Sequence, residues 1–287
     1  MPAVTRTTST FIDPQGVTIH YYVWKAAKPK AVLQLTHGLG DHALRYEQVA
    51  QDLVAAGYTV YADDHRGHGA TGMEQYGGDA TKLGKLGPGG LRATVEDVRQ
   101  FTRVIREENP GLPLALLGHS WGSLMVQMIL NQHADDYDVA VLTGTAYRTL
   151  TDMNGGNLNK QHAHLGTTGN EWLSRDPAVA QAFSDDPLTF YAAAIELFGL
   201  PDGLRLLGRP TKNIAKDIPL LIMIGSEDTL GGEKSIAKLA SAYVTRSRLS
   251  DVKAIVYPEA RHEIFNETNR DEVIGDLVAW LDEHLVR

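Results

Sequence analysis

Residues 112–122 read Leu-Pro-Leu-Ala-Leu-Leu-Gly-His-Ser-Trp-Gly. The apolar run Leu112 to Leu117 predicts a short buried strand, and Trp121 onward (WGSLMVQMILNQH) reads as a helix. A buried strand that passes into a helix through Gly-x-Ser-x-Gly is a nucleophile elbow. The turn forces its central residue, Ser120, into a strained backbone conformation and lifts the hydroxyl above the sheet. Gly118 and Gly122 flank it because side chains there would collide with the neighbouring strand and helix.

The rest of the chain supplies what such an elbow needs around it. Short β-rich runs at 31–35, 58–62, 112–117, 139–143, 220–224 and 253–257 alternate with amphipathic stretches at 46–56, 91–108, 121–132, 233–244 and 270–285. This rhythm predicts an α/β fold with a doubly wound, mostly parallel sheet and helices on both faces. Residues 16–24 alternate like an antiparallel edge strand. The rhythm breaks between 147 and 216, where polar NGGNLNKQHAH (154–164) precedes helical patches at 177–183 and 188–198 and a Pro201-Asp202-Gly203 turn. A connection of that length is a lid or small subdomain. The expected organisation is therefore a core of 1–146 and 217–287 with an inserted cap at 147–216. Its apolar side chains, among them Trp172, Phe183, Phe190, Tyr191, Ile195, Phe198 and Leu200, would line an acyl pocket.

Composition excludes several alternatives. The 287 residues carry 27 Lys and Arg against 35 Asp and Glu, a net charge of −8, and the cations form no stripe. A nucleic-acid partner is not expected. There is no cysteine, which removes thiolate catalysis, disulfides and Cys-based metal sites. No histidine pair stands in a His-Glu-x-x-His frame, and no metal or cofactor is expected. No run approaches a membrane span, and MPAVTRTTSTFIDPQG lacks the apolar core of a signal peptide, so a cytoplasmic location is expected. A homo-oligomer is compatible with the sequence but is not specified by it.

A serine becomes nucleophilic when a base removes its proton and an acid orients that base. Both partners follow Ser120 in the order acid, then histidine, each in a loop beyond a buried strand. Asp228 follows Leu220–Gly225, with Glu227 as the alternative acid, and His262 follows Ala254–Tyr257 just before the terminal helix. The expected catalytic residues are Ser120, Asp228 and His262. Two backbone N–H donors are needed for the developing oxyanion. Trp121 is expected to supply one, and Leu39 in the loop His37-Gly38-Leu39-Gly40-Asp41-His42 the second. His119 should point away from the site, the Asp64–Gly69 stretch should fix loops beside it, and His162 and His164 should be solvated.

HGLGDHALRY (37–46), YADDHRGHGATG (61–72), GHSWGS (118–123), GSEDTL (225–230) and YPEARHEIFNE (257–267), in this order, resemble the monoacylglycerol lipase and lysophospholipase branch of the α/β-hydrolase superfamily. The resemblance extends to GKLGPGGLRATVEDV (84–98) and EWLSRDPAVAQAF (171–183). It implies the α/β-hydrolase fold, a cap, no cofactor, and hydrolysis of monoacylglycerol, lysophospholipid or similar esters as small-molecule substrates. It also aligns Ser120, Asp228 and His262 with the family triad and Leu39 and Trp121 with its oxyanion donors. Two departures concern substrate rather than mechanism: Trp121 and Ser123 stand where the family elbow usually has Met and Gly. A peptidase or amidase, an acyltransferase, or a receptor on the same fold remains as an alternative.

Overall fold

The computed structural model describes residues 5–286; the first four residues of the amino-terminal stretch and Arg287 lie outside it. Eight strands form one sheet: β1 (Arg6–Ile12), β2 (Thr18–Trp24), β3 (Ala31–Thr36), β4 (Tyr58–Asp63), β5 (Leu114–His119), β6 (Val139–Thr143), β7 (Leu220–Gly225) and β8 (Val252–Tyr257). Their order across the sheet is β1-β2-β4-β3-β5-β6-β7-β8. β1 and β2 pair antiparallel, β2 pairs antiparallel with β4, and every pairing from β4 to β8 is parallel. This is the α/β-hydrolase fold.

Why these strands accept helices on both faces is visible in their side chains. β3 to β7 are buried throughout, and successive residues of a strand point to opposite faces. Leu114, Leu116, Ala140, Leu142, Leu220 and Ile222 pack into one core with α3 (Gly90–Glu108), α4 (Trp121–His133) and α7 (Gly232–Thr245). Ala115, Leu117, Val139, Val141, Leu221 and Met223 pack into the other with α1 (Glu47–Ala55) and α8 (Arg270–Leu285). β5 therefore lies between two hydrophobic layers, and the loops at its carboxyl end rest on a fully packed base.

Three features differ from the sequence reading. β2 is not the edge strand, because the polar RTTSTFI of β1 pairs outside it. Its Thr and Ser side chains give no apolar alternation to read. A short helix, α2 (Gly69–Gln75), begins where the Asp64–Gly69 stretch after β4 ends. The second helix of segment 147–216 runs later than its pattern suggests: α5 (Pro177–Asp185) matches, but α6 spans Ala194–Arg205. The stretch before α6 is drawn into the core, where the Phe190 N–H donates to the Gly40 carbonyl at 3.1 Å. α6 bends at Gly199 (φ 76°) and continues through Pro201 and Gly203. Proline is tolerated there because it opens the second helical piece, where its missing N–H has no intrahelical acceptor.

Truncating Leu277 of α8, fully buried in the second core, tests this packing. Leu277→Ala should lose about 2–5 kcal/mol of stability. In urea titration this should appear as a lower midpoint with an unchanged slope.

Candidate active site

The elbow is built from close approaches that only glycine permits. Ser120 has φ 52° and ψ −124°. A Cβ on Gly122 would stand 2.1 Å from the Thr36 carbonyl oxygen, and one on Gly118 would stand 2.7 Å from the Gly122 carbonyl oxygen. α4 thus starts directly against the end of β3, and the loop after β3 lies over the serine. A Cβ on Gly38 would be 3.2 Å from that of Ser120. Trp121 is the first residue of α4, so its N–H has no intrahelical acceptor. The Leu39 N–H, in the facing loop, donates to no acceptor among the described residues. The two N–H groups named from the sequence therefore flank Ser120.

Asp228 Oδ1 lies 2.9 Å from His262 Nδ1, and both side chains are buried. Asp228 is fixed in turn by the Leu230 N–H, which donates to Oδ1 at 2.9 Å. Glu227 turns the other way and accepts from Gln161 Nε2 at 2.7 Å. Of the two adjacent acids, Asp228 is the one whose carboxylate meets the imidazole. His262 Nε2 is buried with no hydrogen-bond partner among the described residues, and His262 lines one cleft together with Ser120 and His119. Its ring sits between Trp172 (4.5 Å between centroids) and His119 (4.8 Å).

His119 corrects the expectation that it points away. Strand alternation predicts the far side, but the left-handed turn at Ser120 interrupts that period, and His119 lines the cleft. Burial, then the neighbouring His262, pushes its pKa down to about 4. A neutral ring beside His262 adds no charge to oppose protonation there. His162 is also corrected: it is buried, with Nε2 3.2 Å from the Glu227 carbonyl oxygen, whereas His164 is exposed.

A charge cluster that sequence reasoning missed joins the loop after β3 to the His262 loop. Arg45 donates twice to Glu263, at 2.8 and 2.9 Å, and once to Asp41 at 3.0 Å. Asp41 also accepts from the Tyr46 hydroxyl at 2.8 Å. Burial draws both acids upward, and the Arg45 guanidinium outweighs it, holding both below the usual carboxylate range. The only sequence signal was the nearness of Asp41 and Arg45 to the oxyanion loop and of Glu263 to His262. The Asp64–Gly69 stretch acts as expected: Asp64 accepts from the Ala43 and Ala70 N–H groups and the Tyr22 hydroxyl, tying three segments together.

Residues of segment 147–216 line one side of the cleft. Trp172 and Leu173 offer their carbonyls to the N–H groups of His262 and Glu263, at 3.3 and 2.7 Å. Arg261 donates to the Glu171 and Ser174 carbonyls at 2.6 and 2.7 Å. The cleft, about 530 Å³ with its open mouth, takes walls from Trp172, Leu173, Phe183, Phe190 and Tyr191. Ile195 and Leu200 are instead 55% and 59% exposed, on the outer side of the bent α6. No group of three or more His, Cys, Asp or Glu among the described residues could hold a metal ion, and no described helix is long and apolar enough to cross a membrane.

Residues 27–269 match the family described as serine aminopeptidase, S33. The chain belongs to that family. It is 32% identical to the monoacylglycerol lipase of Mycolicibacterium smegmatis, over 99% of this chain and the whole of the relative. It is 26% identical to human monoglyceride lipase, over 90% of this chain and 88% of that one. In structure it is similar to a thermostable carboxyl esterase from Bacillus coagulans crystallised with glycerol, with a TM-score of 0.84 at 23% identity, covering 98% and 99% of the two chains. The protein is a monoacylglycerol-lipase-like α/β hydrolase, a carboxylic ester hydrolase.

The buried histidines give this site a pH signature. His119 and His68 are held down to about 4 and about 3, chiefly by burial. Each is neutral when folded while its unfolded counterpart protonates near 6.5. The associated stability is therefore complete above about pH 6.5 and is lost as pH falls to about 4 for His119 and about 3 for His68, at about 1.4 kcal/mol per unit for each histidine. Urea titrations at pH 7, 6 and 5 should show this decline, and His119→Gln should reduce its slope by about one proton.

Proposed function

We propose that Ser120, His262 and Asp228 form a catalytic triad that hydrolyses monoacylglycerol-type or similar carboxylic esters through an acyl-enzyme. The observation that carries this reading is the Asp228–His262 contact at 2.9 Å beside a serine in a left-handed elbow. His262, its Nδ1–H directed at Asp228, presents Nε2 to the Ser120 hydroxyl. Oγ attacks the ester carbonyl as its proton passes to Nε2. The oxyanion forms against the Leu39 and Trp121 N–H groups. His262 then gives the proton to the departing alcohol, and water repeats the sequence to free the acid. Segment 147–216 serves as the cap, with residues 1–146 and 217–287 as the core.

The relatives named as lipases support an ester over a peptide. So does the charge in the cleft. An aminopeptidase must hold its substrate's α-ammonium with a free carboxylate, and the two acids lining this cleft, Asp41 and Glu263, are both bound to Arg45. The ester substrate has no such requirement.

Ser120→Ala should reduce kcat on p-nitrophenyl esters by about 10⁴-fold or more and abolish fluorophosphonate labelling. Asp228→Asn should cost about 10⁴-fold through the wrong histidine tautomer, while Glu227→Gln should change little. An adduct mapped to Ser123, or the reverse ranking of the two acid variants, overturns the assignment.

A further inference from the structure

The polar stretch 154–164 packs against the loop after β7, the loop that carries Asp228. That loop is held from two sides. Its N–H groups turn to the core: Ser226 donates to the Tyr257 carbonyl at 2.9 Å, Glu227 to Ala260 at 2.9 Å and Asp228 to Gly225 at 3.2 Å. Its carbonyls turn to the inserted segment. The Glu227 oxygen lies 3.2 Å from His162 Nε2, and the Thr229 oxygen accepts from Asn154 Nδ2 at 3.1 Å. The Leu230 oxygen accepts from the Asn154 N–H at 2.8 Å. The Thr229 hydroxyl adds a fourth link, donating to the Leu158 carbonyl at 2.7 Å.

His162 holds the most telling of these places. A carbonyl oxygen only accepts, so its buried imidazole carries the hydrogen on Nε2 and donates it. The Glu227 carbonyl belongs to the planar peptide unit whose nitrogen is that of Asp228. Fixing that oxygen fixes the plane from which the Asp228 side chain departs. The carboxylate itself has little else to orient it. Oδ1 serves both His262 Nδ1 and the Leu230 N–H, while Oδ2 is buried with no hydrogen-bond partner among the described residues. The angle at which Asp228 meets the imidazole therefore depends on where its backbone is held.

We propose that residues 154–162 are a positioning clasp for the acid of the triad, with His162 as the positioning residue that acts through Asp228. The inference rests on Asp228 as that acid. It goes further by giving the inserted segment a part in the chemical step, separate from its part in lining the cleft with Gly156, Leu158 and Asn159.

The test follows kcat and KM for p-nitrophenyl butyrate in a double-mutant cycle. A displacement of about 1 Å in a catalytic group costs up to about 100-fold. His162→Ala should lower kcat about tenfold and leave KM within about twofold. His162→Gln, which keeps an N–H donor at similar reach, should recover most of that loss. In an Asp228→Asn background, His162→Ala should change kcat less than about twofold, because residues that act as a unit are not additive. Asn154 is exposed, and Asn154→Ala removes the other side-chain donor. It should follow the same pattern, so the result does not depend on the His162 variants folding. Values of kcat within twofold of wild type in both alanine variants overturn the clasp. So does a tenfold loss that recurs in full in the Asp228→Asn background, which is the mark of a purely structural role. In either case a loss of about 10⁴-fold in Asp228→Asn alone leaves the triad standing. A loss below tenfold in that single variant overturns both.

Discussion

Everything at the site depends on how closely the start of α4 approaches the end of β3. With 2.1 Å between a hypothetical Gly122 Cβ and the Thr36 carbonyl oxygen, no side chain fits. That distance also brings the Leu39 loop within reach of Ser120. A wider gap would relieve the turn but would pull the two N–H groups apart. Strain of this kind persists only where its surroundings over-determine it. Here the two packed layers on either side of β5 do so.

The same logic explains the charge cluster around Arg45. Burying a guanidinium with two carboxylates is costly unless each charge is paired and hydrogen-bonded. Arg45 is bidentate to Glu263 and bonded to Asp41, and Tyr46 takes the other Asp41 oxygen. The cluster joins the loop that carries Leu39 to the loop that carries His262. It is a positional device, since its hydrogen bonds run between the two loops and none goes to Ser120 or to His262 Nε2. His42 extends it to segment 147–216 through Asp186, at 2.9 Å.

Much of this was legible in the sequence because steric and periodic rules act locally. The five buried strands β3 to β7 announce themselves as short, mostly apolar runs, and the elbow as two glycines around a serine. What escaped notice follows from contacts between distant segments. β1 is polar and owes its place to pairing with β2. α6 begins late because Phe190 hydrogen-bonds to Gly40, a residue 150 positions earlier. His119 faces the cleft because one left-handed residue breaks strand alternation. The partnership of Arg45 with Glu263 spans 218 positions, and nothing in either neighbourhood encodes it.

The bonds between residues 171–175 and the His262 loop have a consequence for how the molecule comes apart. Segments far apart in sequence can open as one cooperative unit. The N–H groups of His262 and Glu263 find their acceptors at Trp172 and Leu173, and Arg261 finds two more at Glu171 and Ser174. Amide exchange should therefore group residues 171–175 with the His262 loop. The stretch around α6, with Ile195, Leu200 and Leu204 turned to solvent, should open at lower free energy.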